Sequence, residues 1–190
     1  MKRAGVRIRP IDMVPRLTIP VRCERDHCQG PNTAPVTLVE YGDYECPYCG
    51  QAYLIIKDIQ DQLGDQLCFV FRNFPLTRVH PHAQNAAEAA EAAGAQGRFW
   101  EMHDLLYENQ DALDDAYLRE YALELGLDVG RFDMEMITHV HAPRVREDFL
   151  SGLRSGVNGT PTFYLNGIRY DGSWDEVSML ASIEQLIHNK

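Results

Sequence analysis

The sequence predicts an α/β fold in which a strand–helix–strand unit is separated from a closing β-hairpin and helix by an all-helical subdomain. Three observations carry this. Two apolar, β-branched runs, Val36–Tyr41 and Leu67–Phe71, flank a stretch of helical periodicity. The residues from about His80 to Leu153 contain no strand-like run. Asn166-Gly167, between Thr162–Leu165 and Ile168–Tyr170, is a strong two-residue hairpin signal. A chain of 190 residues can bury one core plus such a helical unit.

Residues 1–33 read as an N-terminal arm, interrupted by Pro10, Pro15, Pro20 and Pro31. Leu17-Thr18-Ile19 is a short strand candidate within it, and Asp26 to Asn32 reads as a turn. Residues 34–78 form the first α/β half. Its first strand is buried, and its helix opens at Cys46 with Pro47 in the first turn, where a missing N–H costs nothing. Ala52, Ile55, Ile56, Ile59 and Leu63 recur at helical spacing, and Gly64 ends the helix. Leu67–Phe71 then pairs parallel to the first strand. Residues 79–155 form the helical insertion, with helices over Ala86–Ala95, Phe99–Tyr107, Ala116–Leu125 and about 129–153. Residues 156–190 hold the hairpin and a final helix, Val177–Ile187.

The formal net charge is -10, from 18 basic and 28 acidic residues. That excludes general affinity for nucleic acid or anionic lipid, both of which need clustered positive charge. Lys2, Arg3, Arg7, Arg9 and Arg16 break up the first twenty residues, so no apolar leader core is recognisable. No segment reads as a membrane span, and direct membrane insertion is not expected. As written, the chain is expected to be cytoplasmic; removal of a leader from an extracytoplasmic protein would leave the same picture.

The chemistry centres on Cys46-Pro47-Tyr48-Cys49. Two thiols three residues apart can close and reopen a small disulfide ring. At a helix N-terminus the first thiol gains from the dipole and the free amides, which favour its thiolate. Cys46 is therefore the expected attacking and leaving thiol, to be presented to solvent, and Cys49 the concealed resolving one. Asp43 and Glu45 beside the motif oppose thiolate formation, so a smaller pKa depression is expected. The chain has five cysteines, an odd number that rules out complete internal pairing. A different class of reading is a zinc-binding or redox-sensing module using Cys23, Cys28, Cys46 and Cys49. Cys23 and Cys28 could equally bond to each other. Cys68, inside an apolar strand, reads as an inert core thiol.

Glu40 is a charged residue within an apolar strand, on the face shared with Val36 and Leu38. One reading makes it the proton donor and acceptor of Cys49, through water; the other pairs it with Arg72. Pro161, in Gly159-Thr160-Pro161-Thr162, directly precedes a strand. A cis bond there would turn the preceding backbone outward, where an extended substrate could pair with it. His80, His82, His139 and His141 have metal-like spacing but no third ligand nearby in sequence, and read as structural or solvated. No metal is expected.

Several segments, in order, resemble the DsbA-like members of the thioredoxin superfamily. They are Ala34–Tyr44 leading into Cys46–Cys49, Phe71-Arg72-Asn73-Phe74-Pro75-Leu76, His80-Pro81-His82-Ala83 with the alanine-rich helix, Gly97-Arg98-Phe99-Trp100, and Gly156–Phe163. The resemblance covers roughly Asp26 to the C-terminus. It implies a thioredoxin fold with an inserted helical domain, Cys46 as nucleophile, Cys49 as resolving cysteine, Glu40 as the buried acid and Pro161 as a cis proline. It implies that Thr160 contacts substrate and sets redox behaviour. The dipeptide Pro47-Tyr48 departs from the Pro-His of strongly oxidising members. The expected function is thiol–disulfide exchange with protein or peptide thiols, docked at Thr160, Pro161, Pro47 and Tyr48. A redox partner would recycle the pair, and no organic cofactor is required. Oxidising and reducing directions both remain open.

Overall fold

The computed structural model describes residues 14–189; the start of the arm, with Lys2, Arg3, Arg7, Arg9 and Pro10, lies outside them. The described residues form a five-stranded mixed sheet and seven α-helices, a thioredoxin-like fold. The strands are β1 (His27–Gln29), β2 (Val36–Gly42), β3 (Leu67–Asn73), β4 (Thr162–Leu165) and β5 (Ile168–Tyr170), in spatial order β1-β3-β2-β4-β5. β2 and β3 run parallel across α1 (Pro47–Leu63), with Val36 opposite Leu67 and Glu40 opposite Phe71. β4 pairs antiparallel to β2, and β5 to β4. Asn166 and Gly167 both take positive φ, 48° and 79°, which the tight right-handed hairpin turn requires.

Five helices fill the connection between β3 and β4. They are α2 (Ala83–Gly94), α3 (Phe99–Glu108), α4 (Asp115–Glu124), α5 (Val129–Thr138) and α6 (Ala142–Ser155), with α7 (Glu176–His188) closing the chain. Alternation along β2 divides the core. Val36 and Leu38 face α1, α3 and α7, joining Ile56, Ile59, Phe71, Met102, Leu106 and Ile183 in one apolar cluster. Val39 and Tyr41 face the other way and pack with Val70, Phe74 and Tyr164, with Phe149 of α6 and Leu17 of the arm over them. α2 contributes Ala86, Ala89, Ala90, Ala92 and Ala93, all fully buried, so its small side chains let neighbouring helices approach closely.

Three local expectations need correction. The segment read as a turn from Asp26 carries β1, because the outer edge of β3 is open and His27–Gln29 pairs along Phe71–Phe69. Gly30 then ends the strand at φ 95°, where a side chain would strike the Leu67 carbonyl. Leu17-Thr18-Ile19 forms no strand. Arg16 makes a single bridge to Ile168, the Leu17 N–H reaches the Gly167 carbonyl at 2.9 Å, and Pro15 and Pro20 cannot donate to a ladder. The stretch read as one helix over 129–153 is two. His139 takes the left-handed conformation (φ 51°) that ends α5, and Pro143 sits in the first turn of α6.

Candidate functional site

β2 delivers the chain to the site, and α1 holds its sulfurs. Cys46 is the N-cap of α1, with extended φ and ψ (-76° and 121°), and Pro47 follows in the first turn. The Cys46 N–H donates to the Asp43 carbonyl, and the Cys46 carbonyl accepts from Gly50 N–H, both at 3.1 Å. Gln110, just after α3, donates from Nε2 to the carbonyls of Tyr44 (2.8 Å) and Cys46 (2.9 Å) and clamps this corner.

Cys46 and Cys49 are both thiols here. Contrary to the expectation of an open sulfur, Cys46 is only 4 % exposed, because Thr160 lies against it; Cys49 is fully buried. The side chains around the pair are arranged asymmetrically. The Cys46 thiol falls to about 5, chiefly through a hydrogen bond from Cys49, against the opposing effect of burial; the Thr160 side chain and the backbone N–H groups of Cys49 and Tyr48 add to the lowering. Cys49 moves the other way, well above the ordinary thiol range, through burial, its hydrogen bond to Cys46 and the charges of Glu40 and Cys46.

Asp43 and Glu45, expected to oppose the thiolate, are not among the main influences on Cys46. Both carboxylates are held by the loop after β3. Asp43 accepts from Leu76 N–H (2.7 Å) and His80 Nδ1 (2.8 Å), and Glu45 from His82 N–H (2.7 Å) and His82 Nδ1 (2.9 Å). Burial lowers the His80 imidazole, but the hydrogen bond to Asp43 and the charges of Asp43, Cys46 and Glu45 outweigh it and raise it overall. His80, read as structural or solvated, is thus shifted toward its charged form beside the motif, while His82 holds Glu45 through hydrogen bonds. Sequence spacing could not reveal this, because each partner is 37 residues away.

The Thr160–Pro161 peptide bond is cis. The Cys46 thiol donates to the Thr160 carbonyl at 3.5 Å. The Thr160 hydroxyl is buried with no partner, free to donate to the sulfur once it becomes a thiolate. Pro47 and Tyr48 form the exposed rim, Tyr48 at 61 %.

Glu40 points into the core beneath α1 at 2 % exposure, and its Oε1 has no partner. The pairing with Arg72 does not occur. Arg72 follows Phe71, the residue opposite Glu40, so it faces the other side of the sheet, where it holds Asp26. Burial, then the charge of Cys46, pushes the Glu40 carboxyl up to about 8. Glu40 lines a cavity of about 10 Å³ with Lys57, Gln60, His103 and Asp104, a volume near that of one water probe. Tyr107 of α3 also brings a buried, unpartnered hydroxyl to this region, and the charges of Cys49 and Glu40 both bear on it.

The four-thiol zinc site is not assembled. Cys23 and Cys28 are joined by a disulfide and stand with Cys68, while Cys46 and Cys49 belong to the other cluster.

A thioredoxin family model (Thioredoxin_4) matches residues 23–185. The Na(+)/H(+) antiporter NhaA 1 of Salinispora arenicola is 49% identical over 167 residues, which are 88% of this chain and 26% of the antiporter. The Na(+)/H(+) antiporter NhaA of Herminiimonas arsenicoxydans is 42% identical over 183 residues, 96% of this chain and 29% of that protein. The chain thus spans under a third of the length of these curated relatives. Among solved structures, BdbD from Bacillus subtilis superposes with a TM-score of 0.78 at 24% identity, covering 92% of this chain and 97% of its own. A thioredoxin-like oxidoreductase from Silicibacter pomeroyi superposes with a TM-score of 0.73 at 25% identity, covering 87% and 94%. No described helix is long and apolar enough to cross a membrane.

Proposed function

The chain belongs to the thioredoxin family, with a DsbA-like fold, and from that premise we propose that it is a thiol–disulfide oxidoreductase acting on protein or peptide thiols through Cys46 and Cys49. The observation that carries the reading is the opposite displacement of two sulfurs one helical turn apart, Cys46 down to about 5 and Cys49 well above its ordinary value. A low-pKa sulfur is a good leaving group and is ionised at neutral pH; a high-pKa sulfur stays protonated until it is needed.

In the reducing direction the Cys46 thiolate attacks a substrate disulfide and expels one substrate thiolate. The mixed disulfide removes the Cys46 charge that helps keep Glu40 protonated, so Glu40 gives up its proton to water more readily and then accepts the Cys49 proton. Cys49 attacks the Cys46 sulfur, releasing the second substrate thiolate and closing the Cys46–Cys49 disulfide. In the oxidising direction the steps reverse: a substrate thiolate attacks Cys46, and Cys49 leaves and takes a proton from Glu40. The partner that recycles the pair is a second dithiol or disulfide protein. Substrate docks as an extended segment beside Thr160 and Pro161, with Pro47 and the exposed Tyr48 as apolar rim.

The test is catalysed reduction of insulin by a small dithiol. Wild-type chain is expected to accelerate it and Cys46→Ser to abolish the effect, while Cys49→Ser accumulates a Cys46 mixed disulfide. Exchange that survives Cys46→Ser overturns the assignment. The antiporter relatives favour a second, narrower reading, in which the chain is a redox module that acts on a Na(+)/H(+) antiporter. Co-expression of Cys49→Ser with such an antiporter is then expected to trap a mixed disulfide between the two.

A further inference from the structure

Thiol exchange at Cys46 uses none of the other three cysteines, yet these three stand together. Cys68 lies in β3 at 2 % exposure. The β1–β3 register sets Cys28 opposite Val70, so Cys68, two residues before Val70, faces the same side of the sheet. Cys23, at the exposed end, is bonded to Cys28. The three sulfurs all lie within 4.8 Å of one another, the one grouping of three or more metal-competent side chains among the described residues. Neighbouring side chains are already committed. Asp26 holds Arg72 and Arg25, and His27 stacks on Phe99 and bonds Glu91 at 2.9 Å. Cys23 and Cys28 line an open cleft of about 480 Å³, which gives a reductant or an ion access to them.

We propose that reduction of the Cys23–Cys28 disulfide opens a metal site in which Cys23, Cys28 and Cys68 bind one thiophilic divalent cation of the zinc class. A dithiol supplies the two electrons and two protons, becoming a disulfide itself. The three thiols then give up three protons to the solvent as the ion binds. Zinc–thiolate bonds of about 2.3 Å place tetrahedral sulfurs about 3.8 Å apart, so the Cys23 and Cys28 sulfurs separate once their bond is broken, while Cys68 already stands within 4.8 Å of both. A divalent ion reduces the three negative charges of three thiolates to one, which a partly buried site tolerates better than three. This set shares two cysteines with the four-thiol reading of the sequence but replaces the exchange pair with Cys68, so metal uptake and thiol exchange are independent.

The test uses the full chain carrying Cys46→Ala and Cys49→Ala, so that the exchange pair cannot compete, with Cd(II) as a spectroscopically visible probe. After phosphine reduction and anaerobic removal of the reductant, one Cd(II) per chain is expected to bind, with thiolate-to-metal absorption in the ultraviolet. The oxidised chain is expected to show none. Cys68→Ala is expected to weaken binding by more than about tenfold. Cys23→Ser, at an exposed position where the core is not at stake, is expected to do the same. No uptake by the reduced chain, equal uptake by the oxidised chain, or unchanged affinity in either variant overturns the proposal.

Discussion

Glu40 places a buried, destabilising carboxyl at the proposed site. Its carboxyl has a folded-state value of about 8 against an ordinary value of 4.5. An acid whose pKa is raised by folding favours the native state at low pH and loses that advantage as pH rises through its unfolded value and then its folded one. Glu40→Gln removes this dependence. We expect the variant to gain stability over wild type progressively from pH 4.5 to about 8, by on the order of 4–5 kcal/mol, read from urea denaturation across that range. The same variant is expected to slow release of the mixed disulfide, because Cys49 loses its proposed proton acceptor; unchanged kinetics would remove Glu40 from the mechanism. At Cys46 the sign is opposite. Titration of the thiolate absorbance is expected to show a midpoint near 5, and Thr160→Val to raise it by about one unit, since the unpartnered hydroxyl can no longer donate to the charged sulfur. Cys46, Cys49, Glu40 and Pro161, the residues proposed for the site, stand out in the sequence because each is unusual in its own segment: a thiol pair at a helix start, a charge in an apolar strand, a proline at a strand start. The His80–Asp43 and His82–Glu45 pairs do not, because each is made by two segments that meet only in the folded chain.

At the scale of elements, the strands and helices with a strong period were read correctly and the misreadings have physical causes. β1 is three residues long and carries no alternation of its own; it exists because β3 offers an unpaired edge, which a single-segment pattern cannot show. The break between α5 and α6 rests on one left-handed histidine, a conformation that local composition did not mark. The junction of α6 with the sheet also depends on something no pattern displays, the absence of a side chain at Gly152. A Cβ there would stand 2.7 Å from Phe74 Cδ2 and 3.0 Å from Tyr41 Cδ1, both ring atoms of buried aromatics. Neither ring can withdraw, since Tyr41 hydrogen-bonds Ser151 at 2.7 Å and Phe74 stacks on Phe149 with centroids 4.4 Å apart. Gly152→Ala is therefore expected to destabilise by about 1–3 kcal/mol despite its better helix propensity. Thermal melting should fall by about 2–4 °C for each kcal/mol lost.

At the scale of the whole molecule, one buried ion pair ties together parts that are far apart in sequence. Arg72 of β3 is fully buried and binds Asp26, just before β1, through Nε at 2.9 Å and a second nitrogen at 3.0 Å. Its remaining nitrogen donates to Tyr41 Oη of β2 and to the Ile19 carbonyl of the arm, both at 3.0 Å. Arg25 continues the network to Asp148 of α6 at 3.2 Å, and Arg144 also binds Asp148. Arm, sheet and helical insertion are thus joined through one network around Asp26, which binds both Arg72 and Arg25, on the face of the sheet opposite Glu40. Burial works against the Asp26 charge, but the Arg72 hydrogen bond, the Arg22 N–H and the charges of Arg72 and Arg25 outweigh it, so its pKa lies below 3.8. A lowered carboxyl contributes its stability fully above the unfolded value and loses it as pH falls through the folded one. This contribution is therefore intact at neutral pH and fails only in strong acid. Removing one partner is a harsher test than acid. Asp26→Ala leaves Arg72 charged, buried and without its carboxylate, and should cost about 3–5 kcal/mol in denaturant unfolding. Replacing both, as Asp26→Ala with Arg72→Met, removes the stranded charge and should recover much of that loss. Because the network lies across the sheet from the sulfurs, the Cys46 titration midpoint should stay in place in both variants. A double variant no more stable than Asp26→Ala would mean that Arg72 holds the arm through its bonds to Ile19 and Tyr41, and not through its charge.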